Sequence, residues 1–356
     1  MSKHKAALLS LLNAPHSFSP AGLNWDKILR IADYSKAQPL LFSRIKDAKE
    51  KLGISGTIYA RLQDMYKNNL IRNTLVLEEF DRVGSFLKSA HVPVILLKGI
   101  FLLHTVYKEK IGLRRMEDVD ILIKEEDLEK TDQLLRTLGY RAKNDDCGRR
   151  KAIMYFGHGR DNFILAPIHL HRHIVNVSLN ILRLNWSKIN MRYIWDSATP
   201  VDPQGSGNVF MMEPETALLS LCEHAFRHAF SRIMLLYDIH LFIEQQKDYL
   251  DWDILNRRAR EWGLSVPLYM GMMLCRKTFK TAMPDDFFCR LRPEAASLPQ
   301  MCFLNYVQTS DFPCEDMGSI LYLAVNRKFS DKLRFLHAAF NKQVLKGGRG
   351  CGMLIV

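Results

Sequence analysis

The chain has 356 residues, 47% of them hydrophobic and 25% charged, with a net charge of +12, an ordinary composition for a soluble folded protein with two or three cores. Its longest largely apolar runs, Trp262 to Cys275 and Met317 to Val325, are too short to span a bilayer, which excludes a transmembrane helix. The seven cysteines are scattered and never form a C-x-x-C pair, so the expected setting is reducing and cytoplasmic, with no cysteine metal site; the basic excess suits a solvated surface or a phosphate-rich partner.

In chain order, Met1 to Leu12 carries Lys3 and Lys5 before a short apolar run without a small-residue cleavage site, and reads as an amphipathic helix. Helices follow at Trp25 to Asp33 and, by the spacing of Leu70, Leu75, Leu77, Phe80, Val83 and Leu87, from Ile58 to Ala90. Residues 1–90 are therefore expected to form a helical module. The period changes at Pro93: Val94 to Leu97 is a continuous apolar run closed by Lys98-Gly99, the pattern of a buried strand, and a helix is expected from Phe101 to about Tyr107. Val119 to Ile123 reads as a second strand and Glu125 to Leu138 as a helix with acids in its first turn and Gly139 at its C-terminal cap. Further strands are expected at Ile153 to Phe156 and Phe163 to Leu170, joined by a glycine-containing turn over residues 157–162. These elements place an α/β core at 91–205. From Glu213 the helical period returns, with Pro214 in a first turn and Ala217, Leu218, Leu221, Cys222 and Ala225 in one stripe. That gives a helical domain over 206–345 and a glycine-rich flexible tail at 346–356.

The chemistry gathers at Glu117-Asp118-Val119-Asp120. Side chains alternate along a strand, so Asp118 and Asp120 share a face, and two carboxylates that close repel unless a cation lies between them. Such a pair is a ligand set for Mg²⁺ or Mn²⁺; a solvated sheet edge is the alternative reading of the same residues. His169 and His171 also share a face, with His173 in phase if the strand continues, which allows a zinc reading. His224 and His228, four apart on a helix, lack the Glu of a zinc-protease motif and read as core hydrogen-bonding residues or, together with His171, as cleft lining. Asp238 reads as an ion-pair or helix contact.

The order of strand, Lys98-Gly99, helix, Arg114, Asp-x-Asp strand, helix and a later strand ending in His169 and His171 resembles the DNA polymerase β-like nucleotidyltransferases. It is most similar to an uncharacterised bacterial family with a strand-Lys-Gly turn followed by Arg-x-x-x-Asp-x-Asp, here Ile95-Leu-Leu-Lys-Gly99 and Arg114 to Ile123. The resemblance implies an α+β fold: a small mixed-sheet core with helices on one side, flanked by N- and C-terminal helical segments. It further implies metal binding by Asp118 and Asp120, a phosphate-approach turn at Gly99, and phosphate contacts from Lys98 and Arg114. The implied activity is transfer of a nucleoside monophosphate from a nucleoside triphosphate to an unidentified acceptor, a small molecule, protein or RNA.

Two positions depart from the superfamily. Ile100 follows the glycine where serine is usual, and His169 stands where a third acid is expected. A neutral imidazole can accept a proton or bind some metals, but it brings no negative charge. His169 is therefore the expected proton acceptor. The alternative it raises is a pseudoenzyme that binds nucleotide or protein without turnover.

Overall fold

The computed structural model describes residues 2–15, 23–143, 152–157, 166–175, 188–202, 207–291, 298–315 and 317. The fold is α+β: one mixed sheet of seven strands, with helical segments before and after it.

Four helices open the chain: α1 (Lys3–Asn13), α2 (Trp25–Tyr34), α3 (Gln38–Ile45) and α4 (Gly56–Ser89). Each of α1, α2 and α4 starts at a residue whose side chain caps a free backbone amide: Ser2 accepts from Lys5, Asn24 from Lys27 and Ser55 from Ile58. In α1 the buried residues Ala7, Leu8, Leu11 and Leu12 form one stripe, as its amphipathic pattern requires. The long α4 holds more than apolar contacts. Asn73 donates through Nδ2 to the carbonyls of Ile111 (2.5 Å) and Arg114 (2.7 Å), and Asn69 donates to that of Gly112 (2.7 Å). Two buried amides thus tether the loop that leads into the Asp-x-Asp strand.

The sheet has the order β3-β4-β5-β2-β1-β7-β6, built from β1 (Val94–Leu96), β2 (Val119–Leu122), β3 (Tyr140–Ala142), β4 (Ala152–Gly157), β5 (Ile168–His171), β6 (Thr199–Pro200) and β7 (Val209–Met211). Pairing is parallel between β2 and β5 and between β1 and β7, and antiparallel elsewhere. The central strands β1 and β2 are buried along their whole length, which is why both read as apolar runs. Asp120 is the exception within that run.

Helix α5 (Lys98–His104) begins directly at the Lys-Gly turn and ends at His104, three residues earlier at each end than the expected Phe101–Tyr107. The backbone turns at once because Lys98 adopts a left-handed φ of +48°. The expected helix at 125–138 is a 3-10 turn (Glu125–Asp127) followed by α6 (Leu128–Thr137), which stops where Gly139 takes φ +90°. Strands β3, β6 and β7 were not anticipated: with two or three residues each, they carry too little alternation to register as strands. The sheet therefore draws its last strand from beyond residue 205. The expected turn at 158–162, residues 163–165 of the expected fourth strand and the tail at 346–356 lie outside the described residues.

After the short α7 (Met191–Asp196), the C-terminal helices are α8 (Pro214–Arg227), α9 (Ile233–Gln246), α10 (Trp252–Glu261), α11 (Ser265–Phe279), α12 (Asp285–Leu291) and α13 (Leu298–Thr309). Pro214 sits in the first turn of α8, and Leu218, Leu221, Cys222 and Ala225 are buried. No helix is long and apolar enough to cross a membrane among the described residues.

Candidate active site

The parallel register of β2 against β5 sets Asp120 opposite His169 and Leu122 opposite His171, so both histidines rise beside the Asp-x-Asp carboxylates. One atom is the focus. Asp120 Oδ1 accepts from His171 Nε2 at 2.6 Å, lies 3.3 Å from His169 Nδ1, and is in contact with the Lys98 ammonium. Asp118, one residue before β2 and more exposed than Asp120, has Oδ2 3.8 Å from His169 Nδ1.

Burial and charge set the two acids apart. Burial and the neighbouring Asp120 charge raise Asp118 to about 6, against a partial offset from Lys98 and His169. Burial would also raise Asp120, but Lys98 and the hydrogen bonds from His169 and His171 outweigh it and hold that carboxyl well below the usual range. Burial and the Lys98 charge push His171 well below its usual range, so its ring is neutral. The short contact to Asp120 then requires the proton on Nε2. This leaves Nδ1 buried and without a hydrogen-bond partner among the described residues.

Lys98 reaches Asp120 because the chain turns sharply after β1. The left-handed φ of this non-glycine residue costs about 1 kcal/mol, the kind of local strain that collects at functional sites. Gly99 then leaves room for a close approach: a Cβ there would lie 2.6 Å from Arg114 Nη1 and 2.6 Å from Met116 Sδ. Arg114 is itself buried, with Nε 3.0 and 3.1 Å from the two carboxylate oxygens of Asp238 on α9, and Tyr107 donates to Asp238 Oδ1 at 2.9 Å. Gly99→Ala should therefore displace Arg114 and cost about 1–3 kcal/mol. Urea denaturation measures this, and an unchanged midpoint would show that the guanidinium is not confined as described.

Lys98, Gly99, Arg114, Asp118, Asp120 and His169 all line one cleft of about 280 Å³. The same cleft is lined by His224, Arg227, His228 and Arg232, around the end of α8 and the start of α9. Arg227 donates to His224 Nδ1 at 3.0 Å, and the His224 and His228 rings meet edge to face with centroids 4.7 Å apart. His171 is fully buried behind Asp120 rather than at the cleft surface. His173 is buried too, and its Nδ1 accepts from the Val175 amide at 3.1 Å, apart from the carboxylates.

Asp238 is the residue whose part in this arrangement was least legible from sequence. A buried acid in an apolar helical stripe is a signal, because it demands a cationic partner, but spacing along the chain does not say which.

Chemically, the site joins hard oxygen donors to imidazole nitrogens. Asp120, His169 and His171 each offer one ligand atom within 4.8 Å of the others, close enough to share a metal ion. The carboxylate pair fits a divalent cation, because a cation relieves the repulsion that raises Asp118. The cations around the cleft suit a polyanionic ligand such as a triphosphate.

A model of the family described as "uncharacterised nucleotidyltransferase" matches residues 21–280, from the N-terminal helices through the whole sheet to α11. None of the curated proteins matches the chain.

Proposed function

The chain belongs to the uncharacterised nucleotidyltransferase family, and on that premise we propose that it transfers a nucleoside monophosphate from a nucleoside triphosphate to an acceptor hydroxyl or phosphate. The observation that carries the reading is the cleft that Asp118 and Asp120 line together with Lys98, Gly99 and Arg114. The acceptor oxygen attacks the α-phosphorus, the bond from that phosphorus to the bridging oxygen breaks, and pyrophosphate leaves.

Asp118 and Asp120 would hold Mg²⁺ or Mn²⁺, which when bound neutralises charge developing on the phosphate oxygens. Lys98 and Arg114 contact the phosphates, and Gly99 lets them approach the backbone. Arg114 is oriented for this by Asp238, and through the Asn73 bond to its carbonyl by α4. His169 Nδ1 takes the proton from the acceptor hydroxyl, the task a third carboxylate performs in the wider superfamily.

Calorimetry and turnover test the assignment together. Lys98→Ala should weaken nucleotide binding by about 1–3 kcal/mol. His169→Ala should abolish transfer, whereas His169→Asp should preserve or raise it. Full activity in His169→Ala would remove it as proton acceptor. The site also supports a second reading, a nucleotide-binding protein without turnover, because His169 replaces an acid; no transfer by the wild type together with transfer gained by His169→Asp would establish it.

A further inference from the structure

We propose that this site takes a single divalent ion, with the Lys98 ammonium as its fixed second cation and His169 as a nitrogen ligand that favours Mn²⁺ over Mg²⁺. This rests on the nucleotidyltransferase reading but gives His169 a ligand's role in place of the proton acceptor's, because a metal-bound Nδ1 has no lone pair left for a proton; it concerns metal binding alone and can fail separately.

Asp118 and Asp120 bring two negative charges to the cleft floor, and Lys98 is already on Asp120 Oδ1, with both side chains buried. The net charge left for metal is one unit negative. Two divalent ions placed there would face each other across a few ångströms with less than half their charge compensated. A buried ammonium against a buried carboxylate is costly to separate, so Lys98 stays in place as the second cation.

The nitrogen donor near both acids is that of His169, which approaches the same Asp120 oxygen that Lys98 contacts. His169 Nδ1 stands between the two acids, 3.3 Å from Asp120 Oδ1 and 3.8 Å from Asp118 Oδ2. His169 Nδ1 and Asp120 Oδ1 are close enough to share one ion, and Asp118 Oδ2 lies next to His169 at the rim. His171 does not compete, because its Nε2 proton is committed to Asp120 at 2.6 Å, and that bond fixes the carboxylate from behind. One imidazole among oxygens changes the preferred metal: Mg²⁺ selects oxygen donors, whereas first-row transition ions accept nitrogen readily.

The test uses the purified full chain and metal alone, without nucleotide. Titration should find one Mn²⁺ per chain, bound at least about tenfold more tightly than Mg²⁺. Pulsed EPR of the bound Mn²⁺ should show coupling to an imidazole nitrogen. In His169→Asp that nitrogen coupling should be lost and Mg²⁺ affinity should rise about tenfold, as a third carboxylate replaces a neutral ligand. Lys98→Met should bind Mn²⁺ more tightly than the wild type, since a competing positive charge has gone. Two Mn²⁺ per wild-type chain, no nitrogen coupling, or coupling that persists unchanged in His169→Asp would overturn the proposal. Failure of nucleotidyl transfer with these metal results intact would count against the enzyme and leave this inference standing.

Discussion

Asp118→Asn and Asp120→Asn should both abolish nucleotidyl transfer while moving the stability of the metal-free protein in opposite directions. The two acids are two residues apart and line the same cleft, but their surroundings differ. Asp120 is the counter-ion of the buried Lys98 and the acceptor for His171. An amide at that position leaves the ammonium without a negative partner, at a cost of about 3 kcal/mol. Asp118 is a liability in the metal-free fold, because burial and Asp120 raise it from 3.8 to about 6. A raised carboxyl disfavours the folded state when it ionises: the penalty is absent below pH 3.8, grows as pH rises towards 6 and is complete above that. Asn cannot ionise. Asp118→Asn should therefore be more stable than the wild type at pH 7.5, by about 1 kcal/mol once solvent screening at the rim is allowed for, with no advantage near pH 4. Urea denaturation at the two pH values, without metal, decides it. Equal destabilisation by both substitutions would mean that the carboxylates share one environment.

Asp238→Ala should be the most damaging change away from the cleft floor. It removes both bonds to Arg114 Nε and the acceptor for the Tyr107 hydroxyl, all within the buried region between α9 and the loop before β2. A buried guanidinium left without its carboxylate costs about 3–5 kcal/mol. Tyr107→Phe removes only the neutral donor and should cost about 1 kcal/mol, with the Arg114 pair intact. Nucleotide affinity separates the roles: Asp238→Ala should weaken it by releasing Arg114, and Tyr107→Phe should leave it nearly unchanged. If Asp238→Ala binds nucleotide as the wild type does, Arg114 is not a phosphate contact.

The contrast between these residues shows how far sequence alone reaches. Period-two alternation reads Asp118 and Asp120 onto one strand face without reference to any other part of the chain; β2 begins only at Val119, yet both acids line the cleft. The apolar run before Lys98 identifies β1, and the spacing of Leu218, Leu221 and Ala225 identifies α8, because each signal is local. The pairs that shape the site are not. Lys98 meets Asp120 across 22 positions and Arg114 meets Asp238 across 124. His171 reads as a cleft residue by its spacing from His169, yet the register of β5 places it behind Asp120, as a hydrogen-bond donor and one of three side chains whose atoms are close enough to share an ion. The left-handed turn at Lys98 was equally hidden, since a lysine has no preference for that backbone region. Strands β6 and β7 form through pairing with a neighbour rather than through their own pattern.

The most direct test follows the two ends of the triphosphate. The purified chain would be incubated with each nucleoside triphosphate, labelled at either the α- or the γ-phosphorus, with Mg²⁺ or Mn²⁺ and cell extract as the source of acceptors. The α-label should appear on an acceptor and the γ-label in pyrophosphate, with both movements lost in Asp118→Asn. Transfer of the γ-label to the acceptor, α-label transfer that survives Asp118→Asn, or no transfer from any nucleotide would contradict a nucleotidyltransferase centred on these two carboxylates.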